Sequence, residues 1–250
     1  MADPTYPDLG QKTVLVTGGA SGIGEALVRA FAGQGARVGF LDIDAAAGEK
    51  LAAELGTAIL FEPVDLRDTA ALRHAIASLR HALGPIGVLV NNAANDERHA
   101  TEDVTPDYFD DRIAVNLKHQ FFAAQAVLPD MKALGGGSII CLGSIAWMAG
   151  FGGMALYTAS KSAVLGLVRS LGRDYGAFNI RVNSIAPGWI MTQRQLDNWL
   201  TPEADAMRAD RQAIKRRLYP ADIAKVALFL ASDASDAITC QSIVADGGWV

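Results

Sequence analysis

Tyr157 and Lys161 lie four residues apart in a stretch patterned as a helix, so their side chains share one face. An ammonium on that face favours the phenolate, and a phenol that titrates near ~10 needs such help to act as a base near neutrality. Ser144, just past an apolar strand-like run, offers a hydroxyl that can hold a substrate oxygen and pass a proton to the tyrosine. Both features also have ordinary readings, as a half-buried Tyr–Lys pair and as a turn serine. A second cluster, Thr17-Gly18-Gly19-Ala20-Ser21-Gly22-Ile23-Gly24, follows one strand-like run and opens a helical one. Glycines there let the backbone turn and approach a pyrophosphate, and the helix start presents free N–H groups to it. A glycine-rich turn without a ligand is the alternative, weakened by the strand before it and the helix after it.

The next run ends at Leu41-Asp42-Ile43-Asp44, about 20 residues beyond the glycines. An acid at that distance grips the adenosine ribose hydroxyls and repels a 2′-phosphate, so NAD is expected over NADP. Asp42 is preferred because it ends the strand; Asp44 competes for the role or caps the following helix. Asp65, after the third run, either accepts a hydrogen bond from an adenine amino group or caps the helix near Leu66–Ala70.

A scaffold must gather these residues. Strand-like runs at Thr13–Thr17, Arg37–Asp42, Ala58–Val64, Val88–Asn91, Ser138–Gly143, Arg181–Ala186 and Ser242–Ala245 alternate with amphipathic stretches. The latter include Glu25–Gly33, Ala45–Leu55, Thr69–Ala82, Tyr108–Leu134, Tyr157–Gly176 and Ala221–Leu230. Most runs are continuously apolar, as strands buried on both faces of a parallel sheet are. The pattern predicts a single doubly wound α/β domain over residues 1–250, a seven-stranded parallel sheet with helices on both faces. Ligands of such sheets bind beyond the carboxyl ends of the strands. The polar segment from Ile190 to Tyr219 carries Trp199 and interrupts the alternation, which makes it a candidate lid.

Composition narrows the function classes. At 250 residues, half of them apolar and 20% charged, the chain can bury a substantial core and is not a disordered one. A formal net charge of −5 argues against nucleic-acid binding, and Lys215-Arg216-Arg217 reads as a solvated helix face. No apolar run nears the ~18 residues of a membrane span, and Met1–Lys12 lacks the pattern of a secretory signal. Cys141 and Cys240 without framework spacing point to a reducing, cytoplasmic setting. No metal is expected: His74, His81 and His119 read as surface positions without partners at ligand spacing. Ser144 lacks the glycine-flanked elbow of a hydrolase.

From about Lys12 to Val250 the chain resembles the short-chain dehydrogenase/reductase family. The match lies in the Thr-Gly-x-x-x-Gly-x-Gly loop, Asn91-Asn92-Ala93-Ala94, Asn116, Ser144 with Tyr157-x-x-x-Lys161, Pro187-Gly188 and Asp246-Gly247-Gly248. Ala94 stands where the family usually has glycine, which should tighten the loop. The resemblance implies Tyr157 as base and Ser144 as the group that polarises the substrate oxygen. Lys161 would hold the nicotinamide ribose and depress the tyrosine pKa, and Asn116 would anchor a water linking Lys161 to solvent. It implies NAD held by Gly18, Ser21, Gly22, Ile23, Gly24, Asp42, Ile43, Asp65, Leu66, Asn92, Ala93, Ala94, Tyr157, Lys161, Pro187, Gly188, Ile190 and Thr192. It also implies a homotetramer built on the stretches Tyr108–Leu134 and Tyr157–Gly176.

Two segments bear on the substrate. Asn95-Asp96-Glu97-Arg98-His99 follows the nicotinamide-side loop, and Thr192-Gln193-Arg194-Gln195, with Trp199 beyond, begins the lid segment. Several hydrogen-bonding groups beside an aromatic plate suit a polyhydroxylated ring better than an acyl chain or a steroid. These stretches, with Trp199-Leu200-Thr201-Pro202-Glu203, are similar to those of the bacterial aldose 1-dehydrogenases of the family. The expected reaction is NAD-dependent oxidation of the C1 hydroxyl of a free aldose, such as L-arabinose, D-galactose or D-xylose, to the aldonolactone. Asn95, Asp96, Ser144, Trp147, Tyr157, Gln193, Arg194 and Trp199 are the expected sugar contacts; Arg98 and His99 read equally well as solvated surface. A reductase of a 3-oxoacyl thioester or other small ketone is the alternative, opposed by Asp42. A non-catalytic NAD-binding scaffold is opposed by the complete Asn116, Ser144, Tyr157 and Lys161 set.

Overall fold

Seven strands form one parallel sheet: β1 (Thr13–Thr17), β2 (Arg37–Asp42), β3 (Ile59–Pro63), β4 (Val88–Asn91), β5 (Gly137–Leu142), β6 (Ile180–Pro187) and β7 (Ser242–Ala245). The computed structural model describes residues 4–250, so the first three residues of the polar amino-terminal segment lie outside the described residues. Spatial order is β3-β2-β1-β4-β5-β6-β7, so the chain reverses direction of growth between β1 and β4. That reversal opens a crevice beyond the strand ends. Strand bounds agree with the sequence reading to within a residue. Successive β1 residues face opposite sides, as the two-residue period of a strand requires. Val14 and Val16 pack in one core with Leu27, Phe31 and Ile223, and Leu15 in the other with Ile76, Val127 and Val168.

The helices that flank the sheet are α1 (Gly22–Gly33), α2 (Ala45–Leu55), α3 (Thr69–Leu83), α4 (Pro106–Ile113), α5 (His119–Ala133), α6 (Ala155–Tyr175), α7 (Gln193–Asn198), α8 (Pro202–Arg211) and α9 (Pro220–Ala231). Among the described residues no helix is long and apolar enough to cross a membrane. The segment from Ile190 to Tyr219 folds as α7 and α8 beside the strand ends. Lys215-Arg216-Arg217 lies between α8 and α9 rather than on a helix face. Its charges are engaged: Lys215 Nζ donates to the Gln212 carbonyl (2.7 Å), Arg216 pairs with Asp222 (2.7 Å) and Arg217 with Asp205 (2.8 Å).

The long stretch Tyr108–Leu134 is interrupted by a five-residue π-helical turn, Ala114–Lys118, between α4 and α5. Such a turn adds a residue to the helix and shifts its phase, which a fixed 3.6-residue period does not register. His119 immediately follows it and is 1% exposed, against the surface position expected for it. His74 and His81 are exposed as expected.

Candidate active site

The strand ends line a cleft of about 910 Å³. Every residue expected to hold the dinucleotide is among its lining residues, from Gly18 in the glycine loop to Thr192 before α7. Ser144, Asn95, Asp96, Gln193, Arg194 and Trp199 line it as well. Asn116 and Trp147 do not.

The glycine loop needs its glycines for two separate reasons. Gly18 (φ 66°) and Gly22 (φ 56°) adopt the left-handed region, where a Cβ is strained. At Gly24 a Cβ would stand 1.7 Å from the Gly18 carbonyl oxygen, so α1 can start this close to the strand end only with glycine. Ser21, at the N-cap of α1, makes no side-chain cap hydrogen bond. The first amides of the helix are therefore left for a guest, and the cradle fits a pyrophosphate.

Asp42 ends β2 with its carboxylate accepting the Ala20 N–H (2.9 Å) and the Asp44 N–H (3.1 Å), which fixes it at the cleft rim. Asp44 is the N-cap of α2, accepting from Ala47 N at 3.0 Å, the capping role weighed for it in the sequence. Asp65, by contrast, is not a cap, because Asp68 caps α3. It pairs with Arg67 at 2.6 Å, and that guanidinium holds its carboxyl below the ordinary carboxylate range. Arg67 also reaches Asp111 at 2.6 Å.

Helix α6 carries Tyr157 into the cleft wall and Lys161 beneath it, with the lysine Nζ 5.6 Å from the tyrosine ring centroid. Lys161 is 2% exposed and donates to the Leu142 carbonyl at 2.7 Å. Burial brings its pKa down from 10.5 to about 8. Burial pushes the Tyr157 phenol up to about 12, and Ser144 and Arg98 offset this only in part while Asp96 adds to it. Desolvation is the largest of these effects.

Ser144 caps a short 3₁₀ turn, Ile145–Trp147, its Oγ accepting from Ala146 N at 3.1 Å. Trp147, at the end of that turn, is outside the cleft lining, a correction to its expected sugar contact. Aromatic surface comes instead from Trp189, Trp249 and Phe151, the last two edge to face with centroids 6.0 Å apart. Asn116 is fully buried, and its side chain is spent on the neighbouring loop. Oδ1 accepts Asn95 N–H (2.9 Å), and Nδ2 donates to the carbonyls of Asn95 (3.1 Å) and Arg112 (3.0 Å). Its own carbonyl accepts Gln120 Nε2 at 3.0 Å.

The loop Asn95–His99 is tied to every wall around it. Asp96 accepts from Arg194 Nε (3.1 Å) and Gln195 Nε2 (2.9 Å), and Gln195 Oε1 in turn accepts Trp189 Nε1 (2.8 Å). Glu97 pairs with Arg112 at 2.8 Å, and the Arg98 guanidinium lies 5.1 Å over the Trp199 ring. His99 donates its backbone N–H to the Gly153 carbonyl at 2.9 Å and stays outside the cleft lining, whereas Arg98 is part of it. The open choice for this pair thus splits: Arg98 faces the site and His99 braces the loop. Trp189, Gln195 and Trp249 line the cleft without having been among the expected contacts. Trp189 and Trp249 adjoin the stretches Pro187-Gly188 and Asp246-Gly247-Gly248, and Gln195 ends the stretch Thr192-Gln193-Arg194-Gln195, so their places beside residues already singled out were the available signal.

Comparison with known proteins agrees with this geometry. A family model described as enoyl-(acyl carrier protein) reductase matches residues 18–250. The "Probable galactose dehydrogenase GalD" of Rhizobium meliloti (strain 1021) is 48% identical over 97% of this chain and 96% of its own length. D-xylose 1-dehydrogenase of Caulobacter vibrioides (strain NA1000 / CB15N) is 43% identical over the full length of both. Among solved structures, a blue fluorescent protein from a metagenomic library in complex with NADPH superposes with a TM-score of 0.89 at 35% identity, covering 97% of this chain and 99% of that one. Full-length likeness, the seven-stranded parallel sheet and a strand-end cleft holding Ser144, Tyr157 and Lys161 lead to one conclusion: the chain belongs to the short-chain dehydrogenase/reductase family of oxidoreductases.

Proposed function

We propose that this protein is an NAD-dependent aldose 1-dehydrogenase, which oxidises the C1 hydroxyl of a free aldose to the aldonolactone. The observation that carries the reading is the convergence of Ser144 and Tyr157 on one cleft with a wall of Asp96, Gln193, Arg194, Gln195 and Trp199. That wall offers hydrogen bonds and an aromatic face, the chemistry that suits a sugar ring. The names of the two relatives above, a galactose and a xylose dehydrogenase, support it.

When bound, NAD supplies the hydride acceptor. The glycine loop and the start of α1 would hold its pyrophosphate, Asp42 with Ile43 the adenosine ribose, and Asp65 with Leu66 the adenine. Asn92, Ala93, Ala94, Pro187, Gly188, Ile190 and Thr192 would enclose the nicotinamide half, with Lys161 on its ribose. Ser144 Oγ hydrogen-bonds the substrate oxygen, and Tyr157 Oη takes the C1 hydroxyl proton as the carbonyl forms. Asn116 would anchor the water that returns the proton to solvent past Lys161. Asn95 borders the sugar, and α7 and α8 act as the lid, drawn to the Asn95–His99 loop through Asp96. Exposed Phe109 on α4 and Phe121 on α5 suit the packing of a homotetramer through these helices.

The reading is tested by following NADH formation over a panel of aldopentoses and aldohexoses. At least one aldose is expected to turn over, with epimers differing by roughly tenfold, because each buried group deprived of its hydroxyl partner is left unpaired. No reaction with any aldose, or far faster reduction of a 3-oxoacyl thioester, would remove it. The same assay addresses the cofactor. The Asp42 carboxylate is expected to favour NAD by repelling a 2′-phosphate, and Asp42→Ala to weaken NAD binding and bring the two cofactors to within about tenfold of each other. Equal kcat/KM with NAD and NADP in the unaltered protein would count against Asp42.

A further inference from the structure

Beneath the cleft, residues 116–120 of the helix meet residues 91–95, the end of β4 and the turn after it, in an antiparallel ladder. Asn116 clamps Asn95 through both its N–H (2.9 Å) and its C=O (3.1 Å). His119 Nε2 stands 3.0 Å from the Ala93 carbonyl oxygen, and Asn91 Nδ2 donates to the Gln120 carbonyl at 3.1 Å. The middle contact is thus made by a titratable ring that is 1% exposed. A carbonyl only accepts, so Nε2 carries the proton toward Ala93; Nδ1 lies outside hydrogen-bond geometry with any partner, although the Val115 carbonyl also faces the ring. The second proton is opposed by burial and by the Lys161 ammonium and favoured by the Ala93 and Val115 carbonyls; burial is the largest of these, and the ring pKa falls to about 3.

The other side of the same turn is held by the glycine loop. Asn92 N and Ala93 N donate to Thr17 Oγ1 at 3.0 and 3.2 Å, and Asn92 Nδ2 donates to the carbonyls of Thr17 (3.0 Å) and Gly18 (2.8 Å). Gly18 allows the approach, because a Cβ there would lie 2.7 Å from Ala93 Cα. Only the carbonyl side of Ala93 depends on the helix that carries Asn116.

We infer that His119 is a positioning residue for the dinucleotide, a neutral donor whose bond to the Ala93 carbonyl fixes the turn Asn92–Ala94 against the glycine loop. The inference rests on the proposed NAD site. The peptide after Ala93 lines that site, so a carbonyl left without its donor can swing and disturb the bound cofactor. Asn95 keeps its own clamp, so the sugar side is spared.

His119→Met and His119→Gln separate the donor from the bulk of the ring, since glutamine can present an N–H to the same oxygen. NAD affinity is read by equilibrium fluorescence titration. Methionine is expected to raise Kd for NAD about tenfold, the size of one lost buried hydrogen bond, with KM for the sugar moving less than about twofold. Glutamine should restore NAD binding to within about threefold of the unaltered protein. In the protein without cofactor, the imidazole ¹⁵N resonances of His119 should show the Nε2–H tautomer throughout about pH 5 to 9. NAD binding unchanged by methionine, glutamine as damaging as methionine, or a His119 resonance that titrates within that range would each overturn the assignment. If methionine prevents folding, the glutamine variant and the tautomer measurement decide. Failure of the unaltered protein to bind NAD or oxidise any aldose would instead sink the proposed function, and the tautomer measurement still reports on the ring.

Discussion

Tyr157→Phe is expected to lower kcat by roughly 10³-fold while NAD binds within about twofold of normal, since general-base catalysis contributes on that scale and only the phenol oxygen is lost. The ring itself stays in the cleft wall. The pH profile should carry the same signature. The phenol is neutral when protonated, and burial has pushed it up to about 12, so the base form is scarce at neutral pH and grows as pH rises. The rate of the unaltered protein is therefore expected to climb toward alkaline pH, approaching tenfold per unit before other groups intervene. The phenylalanine variant should lack this climb. A near-normal rate in that variant, or a flat profile in the unaltered enzyme, would remove Tyr157 from the base role.

Lys161→Met should move activity and stability in opposite directions. Turnover is expected to fall by roughly 10²- to 10³-fold, because the ammonium under Tyr157 and at the proposed nicotinamide ribose is lost. Stability follows from the sign of the pKa shift. Folding lowers the lysine from 10.5 to about 8, so between those values the unfolded chain holds a proton that the folded one has released. The lysine's contribution therefore rises with pH across that window, and below it the folded state bears the full cost of a buried ammonium, about 3 kcal/mol. Methionine removes that cost but leaves the Leu142 carbonyl without its donor, which costs about 1–3 kcal/mol. The net expectation in urea unfolding at neutral pH is a variant at least as stable as the parent, by up to about 2 kcal/mol. The parent should also gain on the variant as pH rises from 8 to 10. A variant less stable than the parent at neutral pH by more than about 1 kcal/mol would show that burial is not what lowers this lysine.

The amino-acid sequence by itself determined the sheet, its strand bounds, the glycine loop and most of the cleft lining. These depend on local properties: continuous apolar runs mark strands buried on both faces, and glycine spacing reports where the backbone must turn or approach another chain segment. Asp42 was legible because its place at a strand end is also local. The tertiary structure alone decided which partner each polar side chain takes and how deeply it is buried. Asp44 became a helix cap, Asp65 paired with Arg67, and Asp96 met Arg194 and Gln195 across a sequence separation of almost a hundred residues. Trp147 left the cleft while Trp189 and Trp249 entered it, and the π-turn carried His119 inward against its expected surface position. Tyr157 shows the physical reason most directly. Its spacing from Lys161 is a property of the helix, but its pKa is set by desolvation from every element packed around it, and no periodicity along one segment encodes that.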